Sequence, residues 1–116
     1  MSCEASKRLL DAACACAAVA EFTAGKDFAA YQADHLLRSA VERQFEIIGE
    51  ALSRAIKSDP ALVRDMPELP RIVALRNRLI HGYDSVDDKI VWDIVRTKLA
   101  ALETELRSWL AKHGDA

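Results

Sequence analysis

The residues best suited to chemistry lie close together, between positions 69 and 83. This segment contains Arg71, Arg76, Arg78 and His81 but no acidic residue, whereas the whole chain has a net charge of -2. The planar guanidinium of arginine donates two parallel hydrogen bonds to a phosphate, and histidine titrates close to neutral pH. The segment therefore indicates a metal-free site for breaking a phosphodiester, in which histidine moves a proton and arginine stabilises the phosphate.

A structural role is the alternative for each of these basic residues. His81 precedes Gly82, and a positive charge at the end of a helix interacts favourably with the helix dipole. We expect Arg71 and Arg78 to lie on a solvated face or to contact RNA phosphates rather than to act in catalysis.

Three segments in order resemble one protein family. The first is the motif Arg-x4-His-x-Tyr, formed by Arg76, His81 and Tyr83. The second runs from position 40 to 51 and resembles the central helix of the family, and the third, from 86 to 93, follows the motif. Together they resemble HepT-like proteins of the HEPN superfamily over roughly residues 7–110.

The resemblance implies a function, a partner and a site. HepT-like proteins are homodimeric helical bundles and metal-independent endoribonucleases that act on RNA such as tRNA. They are toxins of type VII toxin–antitoxin pairs, inhibited by an MntA-like minimal nucleotidyltransferase that in some pairs adenylylates the tyrosine of the motif. By position in the motif, Arg76 and His81 would be catalytic and Asn77 a supporting polar group. Tyr83 would be a second supporting residue and the candidate for modification, and no cofactor or metal is implied.

Helical geometry limits how the two predicted catalytic residues can meet. Arg76 and His81 are five positions apart, so their directions around a regular helix differ by about 140°. Either the helix distorts near Gly82, or two copies of the chain complete the site across a two-fold axis. We expect the second arrangement, in a homodimer.

Apolar residues at intervals of three and four predict an all-α fold, an antiparallel bundle of four to five helices in a single domain spanning residues 1–116. The last helix is expected to begin after Asp87 or Asp88 and to continue to about Lys112. The other predicted elements are a helix over Glu4–Phe22, a turn over Phe28–Tyr31 capped by Asp27, a helix from Asp34 to Lys57, one short turn between Pro60 and Pro70, and a helix over Arg71–His81. The expected core stripes are Leu9, Ala13, Ala17 and Ala20; Leu37, Val41, Phe45, Ile48, Leu52 and Ile56; and Val91, Val95, Leu99, Leu102, Leu106 and Trp109.

Composition and charge exclude several classes of protein. With 51% hydrophobic residues, only four Gly and only three Pro, the chain is neither disordered, nor collagen-like, nor a many-stranded barrel. The odd number of cysteines and their clustering near the N-terminus, at Cys3, Cys14 and Cys16, argue against a disulfide framework, and we expect small buried or half-buried thiols in a reducing cytosol. The uncharged run 12–20 is too short for a signal sequence or a membrane span, so we expect a soluble cytoplasmic protein without a membrane partner.

The sequence is also compatible with two other functions. The first is a non-catalytic helical dimer that binds nucleotide, RNA or a nucleotidyltransferase. The second, a metalloenzyme, is weaker because no His, Cys and carboxylate set has ligand spacing. Glu42, Glu46 and Glu50 share a helix face and suit acid–base or metal chemistry, but a solvated or dimer-facing stripe is the simpler interpretation. One of these glutamates could instead orient Arg76 from a neighbouring helix.

Overall fold

A computed structural model describes residues 3–81 and 87–113, and gives only the backbone of residues 79–81. The described residues form seven helices and no strand. These are α1 (Cys3–Thr23), α2 (Phe28–Ala33), α3 (His35–Ser58), α4 (Leu62–Asp65), α5 (Leu69–His81), α6 (Asp88–Thr97) and α7 (Leu99–His113). The prediction of an all-α fold is therefore confirmed.

Aspartate side chains cap the helices where the sequence predicted them. Asp27, Asp34 and Asp87 each accept a hydrogen bond from the backbone amide three residues later, at 2.8, 3.1 and 3.3 Å. Each bond satisfies an amide that has no partner inside the helix. These caps determine where α2, α3 and α6 begin.

The first long helix, α1, packs against both α3 and α7. Its buried residues include Leu9, Cys16 and Val19, so the buried face follows a spacing of three and four and widens to meet two neighbours. The predicted stripe is wrong in its second half, because Ala17 is half-buried and Ala20 is exposed.

The cysteines correct a second expectation. Cys16 is buried, but Cys3 and Cys14 are exposed rather than buried or half-buried. Cys3 and Cys14 are eleven positions apart and share one side of α1, whereas Cys16 lies about 200° from Cys14 around the axis. Burial raises the pKa of the Cys16 thiol to about 12, so this thiol stays protonated at neutral pH.

The second long helix, α3, contacts α1 and also α5. The predicted stripe from Leu37 to Leu52 is buried, and Ile56 at its end is half-buried. The molecule measures 43 × 29 × 19 Å, and its short dimension is about two helix diameters. Because α3 contacts both neighbours, it determines how α5 lies relative to the rest of the bundle.

The predicted last helix is divided in two at Lys98, whose φ of -119° departs from helical geometry. The Thr97 hydroxyl donates to the carbonyl of Asp93 at 2.7 Å, a contact that bends helices by competing with the backbone ladder. The division allows α6 to bury Val91 and Ile94, while α7 buries its own stripe against α1. The chain therefore has more helical segments than the four to five expected.

Leucine-to-alanine changes at two positions of α3 should separate core from surface. Leu52 is fully buried and Leu36 is 79% exposed. We expect Leu52→Ala to lower the free energy of unfolding by about 2–5 kcal/mol, because it leaves a cavity. We expect Leu36→Ala to change it by less than about 0.5 kcal/mol. Urea unfolding followed by circular dichroism measures both, and equal losses would contradict this packing.

Candidate active site

Apolar contacts of α5 place Arg76 toward α3. Leu69 is buried, and Ile72, Val73 and Leu75 pack half-buried against the core. The helix begins at Leu69, two residues before the predicted start. Arg76 lies on the packed side of α5, where only 13% of its side chain is exposed.

Glu50 of α3 faces the Arg76 guanidinium. The Arg76 Nη2 lies 3.7 Å from Glu50 Oε1, while the second carboxylate oxygen accepts a hydrogen bond from Arg54 Nε at 2.5 Å. The Arg54 hydrogen bond, the Arg54 charge and the more distant Arg76 charge hold the pKa of the Glu50 carboxyl below its usual range. Glu50 therefore acts as a counter-ion at neutral pH, and the hypothesis that one glutamate orients Arg76 is consistent with this contact.

The other two glutamates of the α3 stripe make separate contacts. Glu46 pairs with Arg43 at 3.4 Å on the exposed surface. Partial burial raises the pKa of Glu42, and the negative charge of Asp88 in α6 raises it further. Glu42 therefore lies apart from Glu46 and Glu50, and each of the three carboxylates has its own charged neighbour. Within residues 3–81 and 87–113, no cluster of His, Cys, Asp and Glu has the arrangement of a metal site.

A groove of about 580 Å³ runs along α1 and α3 and reaches Arg76 of α5. Its described charged residues are evenly divided between basic Arg8, Arg43 and Arg76 and acidic Asp11, Glu46 and Glu50. The ion pair between Arg8 and Glu4, at 2.7 Å, further offsets the positive charge of the groove. The groove has the dimensions of a ligand site but not the excess positive charge of a general nucleic-acid channel.

The other two arginines of α5, Arg71 and Arg78, lie away from Arg76. Arg71 and Arg78 are exposed and share one side of the helix, since they are seven positions apart. Arg71 pairs with Glu68 at 3.3 Å. Asn77 is also exposed, about 100° from Arg76 around the axis. Contact of Arg71 and Arg78 with RNA phosphates stays a prediction.

Two of the predicted site residues fall in the part of the chain without side-chain description. His81 is the last residue of α5, and only its backbone is described. Tyr83 lies outside the described residues. Their predicted roles therefore stay predictions, although α5 itself continues as a helix from Leu69 to His81.

One residue that contacts Arg76 was not predicted from the sequence. Gly49, in the middle of α3, lies directly against the Arg76 side chain. The available signal was a glycine inside a strongly amphipathic helix, where glycine is unfavourable unless close packing requires it. The sequence alone did not indicate which side chain occupies that space.

Tyr31, Trp92 and Trp109 pack in the interior of the bundle or at its edge. Tyr31 is fully buried and its ring lies 5.1 Å from that of half-buried Trp92. Burial raises the pKa of Tyr31 well above its usual range. Trp109 is buried, as its predicted place in the core stripe requires, and donates from Nε1 to Asp65 at 3.1 Å. No helix within the described ranges has the length and apolarity needed to cross a bilayer.

Comparisons with known proteins give one consistent result. The family model described as "Ribonuclease HepT-like" matches residues 12–109. A protein of Methanocaldococcus jannaschii described as a candidate RNase is 38% identical over 90 residues, which cover 76% of this chain and 80% of the relative. A candidate ribonuclease HepT of Thermococcus cleftensis is 36% identical over 87 residues, covering 73% of this chain and 76% of the relative.

A bacterial relative extends over more of the chain. A candidate RNase of Caldanaerobacter subterraneus is 30% identical over 97 residues, covering 84% of this chain and 86% of the relative. No solved structure matches the chain at a significant level.

Proposed function

The chain belongs to the ribonuclease HepT-like family, and on this basis we propose that it is a metal-independent endoribonuclease whose site includes Arg76 and His81. The observation that carries the proposal is the placement of Arg76. Its side chain is largely buried, and it borders a groove with its guanidinium next to an exposed carboxylate. A guanidinium held in this way is prepared to bind a phosphate of RNA.

The proposed reaction uses the 2′-hydroxyl of the RNA itself. The 2′-oxygen attacks the adjacent phosphorus as His81 accepts its proton, and the bond from phosphorus to the 5′-oxygen breaks. The departing oxygen takes up a proton, which leaves a cyclic phosphate and a 5′-hydroxyl. Arg76 stabilises the charge that develops on the phosphate, and Asn77 and Tyr83 support substrate binding.

The helical geometry of α5 favours a site built from two copies. Because α5 is a continuous α-helix through His81, positions 76 and 81 differ by about 140° around its axis. The two positions therefore lie on different sides of one helix, and we propose that a two-fold axis brings position 76 of one subunit near position 81 of the partner. We propose a homodimer on this ground.

The biological setting that we propose is a type VII toxin–antitoxin pair. The chain is the toxin, tRNA is its substrate class, and an MntA-like minimal nucleotidyltransferase is its antitoxin. The support is family membership together with the motif tyrosine, Tyr83. An AMP group on Tyr83 would place a phosphate within the same motif as Arg76 and His81, where it would compete with RNA for the arginine.

Cleavage of total tRNA in EDTA is the direct test of the enzyme. We expect the unmodified natural protein to cleave, and His81→Ala to be slower by about 10²–10⁴-fold because proton transfer is lost. We expect Arg76→Ala to be slower by about 10²–10³-fold, since charge stabilisation is lost. Gel electrophoresis of the RNA gives the rates. The matched controls are His35→Ala and Arg64→Ala, at exposed positions distant in sequence from the motif.

Each result of this experiment has a clear meaning. Cleavage by the natural protein and both controls, but not by the two site variants, supports the proposal. If the natural protein fails to cleave although its intact mass shows no modification, the chain is better interpreted as a helical binding module. Cleavage that requires a divalent ion would contradict metal independence.

Mixing two inactive variants tests the composite site. If each site takes Arg76 from one subunit and His81 from the other, a dimer of one Arg76→Ala subunit and one His81→Ala subunit keeps one intact site. If both residues of a site come from the same subunit, that dimer keeps none. After unfolding and refolding together, random pairing should restore about a quarter of the natural activity. Natural protein taken through the same cycle is the control. No recovery, with mixed dimers confirmed by native mass spectrometry, would contradict a site shared between subunits.

Intact-mass spectrometry tests the regulation. After co-expression with a minimal nucleotidyltransferase encoded beside it, we expect the protein to carry one AMP group and to lose RNA cleavage. In this step the Tyr83 oxygen bonds to the α-phosphorus of ATP, pyrophosphate leaves, and the phenolic proton passes to solvent. Tyr83→Phe should abolish the added mass. An inhibited complex whose Tyr83 is unmodified would instead indicate simple occlusion of the site.

A further inference from the structure

Gly49 of α3 lies directly beneath the Arg76 side chain. A Cβ at this position would overlap Arg76 Nε and lie 2.9 Å from its Cγ and 3.0 Å from its Cδ. Cγ and Cδ belong to the aliphatic stem of the arginine, and Nε is the atom through which the guanidinium joins that stem. Any side chain at position 49 would therefore require the whole Arg76 side chain to move.

Backbone conformation does not explain this glycine. Among the described residues, the glycine with a positive φ is Gly25, at 74°, whereas Gly49 lies within the regular helix α3. Glycine in a helix interior is less favourable than alanine, because it loses more backbone freedom on folding. The close approach of Arg76 accounts for the residue, since only the absence of a Cβ leaves room for the stem.

We propose that Gly49 is a positioning residue for Arg76. Gly49 determines the path of the Arg76 stem across α3, and Glu50, the next residue, lies 3.7 Å from the end of that side chain. Two consecutive residues of one rigid helix thus fix the direction of the guanidinium. The inference rests on the proposed role of Arg76 in binding the scissile phosphate.

This placement matters because arginine loses much rotamer freedom when it is held in one direction. A stem confined against the backbone of α3 has lost that freedom before RNA binds, so the guanidinium need not be ordered during the reaction. A displacement of about 1 Å in such a group can slow a reaction by about 100-fold. The size of residue 49 should therefore affect the rate constant of the chemical step more than RNA binding.

A stability cycle tests the contact without any assay of activity. Gly49→Ala is made in the natural chain and in Arg76→Ala, and Tm is measured by circular dichroism. In the Arg76→Ala background, which lacks the arginine stem, alanine at position 49 should raise Tm, because alanine has a higher helix propensity than glycine. In the natural chain we expect Tm to fall or to stay unchanged, because the new methyl group collides with Arg76. An equal rise in both backgrounds would overturn the proposal.

The kinetic arm asks whether this position matters for the reaction. At a temperature below every Tm, we expect Gly49→Ala to lower kcat by about 100-fold with little change in KM. The matched control is Ser39→Ala at an exposed position of the same helix, which should leave kcat unchanged. A folded Gly49→Ala protein with natural kcat would overturn the proposal, since a purely structural role would alter Tm alone.

The two arms also separate this inference from the proposed function. If the natural protein does not cleave RNA, the proposed activity fails, and the stability cycle alone decides whether Gly49 positions Arg76. If the natural protein cleaves RNA and Gly49→Ala cleaves equally well, the activity stands and the inference about Gly49 fails.

Discussion

The packing of α1 against α3 is the contact on which the rest of the bundle depends. Alanine and cysteine supply most of the buried face of α1, and such small side chains let two helix backbones approach closely. The same helix packs against α7 on another side, while α3 packs against α5. The position of α5, and with it that of Arg76, therefore depends on α3, against which the apolar side of α5 packs.

Arg76 illustrates the balance between burial and availability. Removing a guanidinium from water is unfavourable unless an opposite charge compensates it, and Glu50 supplies that charge. Glu50 is itself exposed and is shared with Arg54, so water screens its attraction for Arg76. The arginine stem is therefore confined against α3, while the carboxylate beside its guanidinium remains in contact with water.

The electrostatics of the groove bear on how RNA would be selected. Its described lining contains three basic and three acidic side chains, and the whole chain carries a net charge of -2. Long-range attraction for a polyanion is therefore weak, and a few specifically placed arginines would have to provide the phosphate contacts. Arg71 and Arg78 are exposed on the opposite side of α5, where Arg71 pairs with Glu68.

Sequence by itself determined the helices, their aspartate caps and the residues of the Arg-x4-His-x-Tyr motif, because periodicity, capping and motif spacing are local. The division at Lys98 escaped prediction, since the apolar spacing continues across the bend. The opposite exposure of Cys14 and Cys16 depended on which sides of α1 meet a neighbour. Only the tertiary structure could decide that Gly49 and Glu50 meet Arg76, because helix packing joins positions more than twenty residues apart.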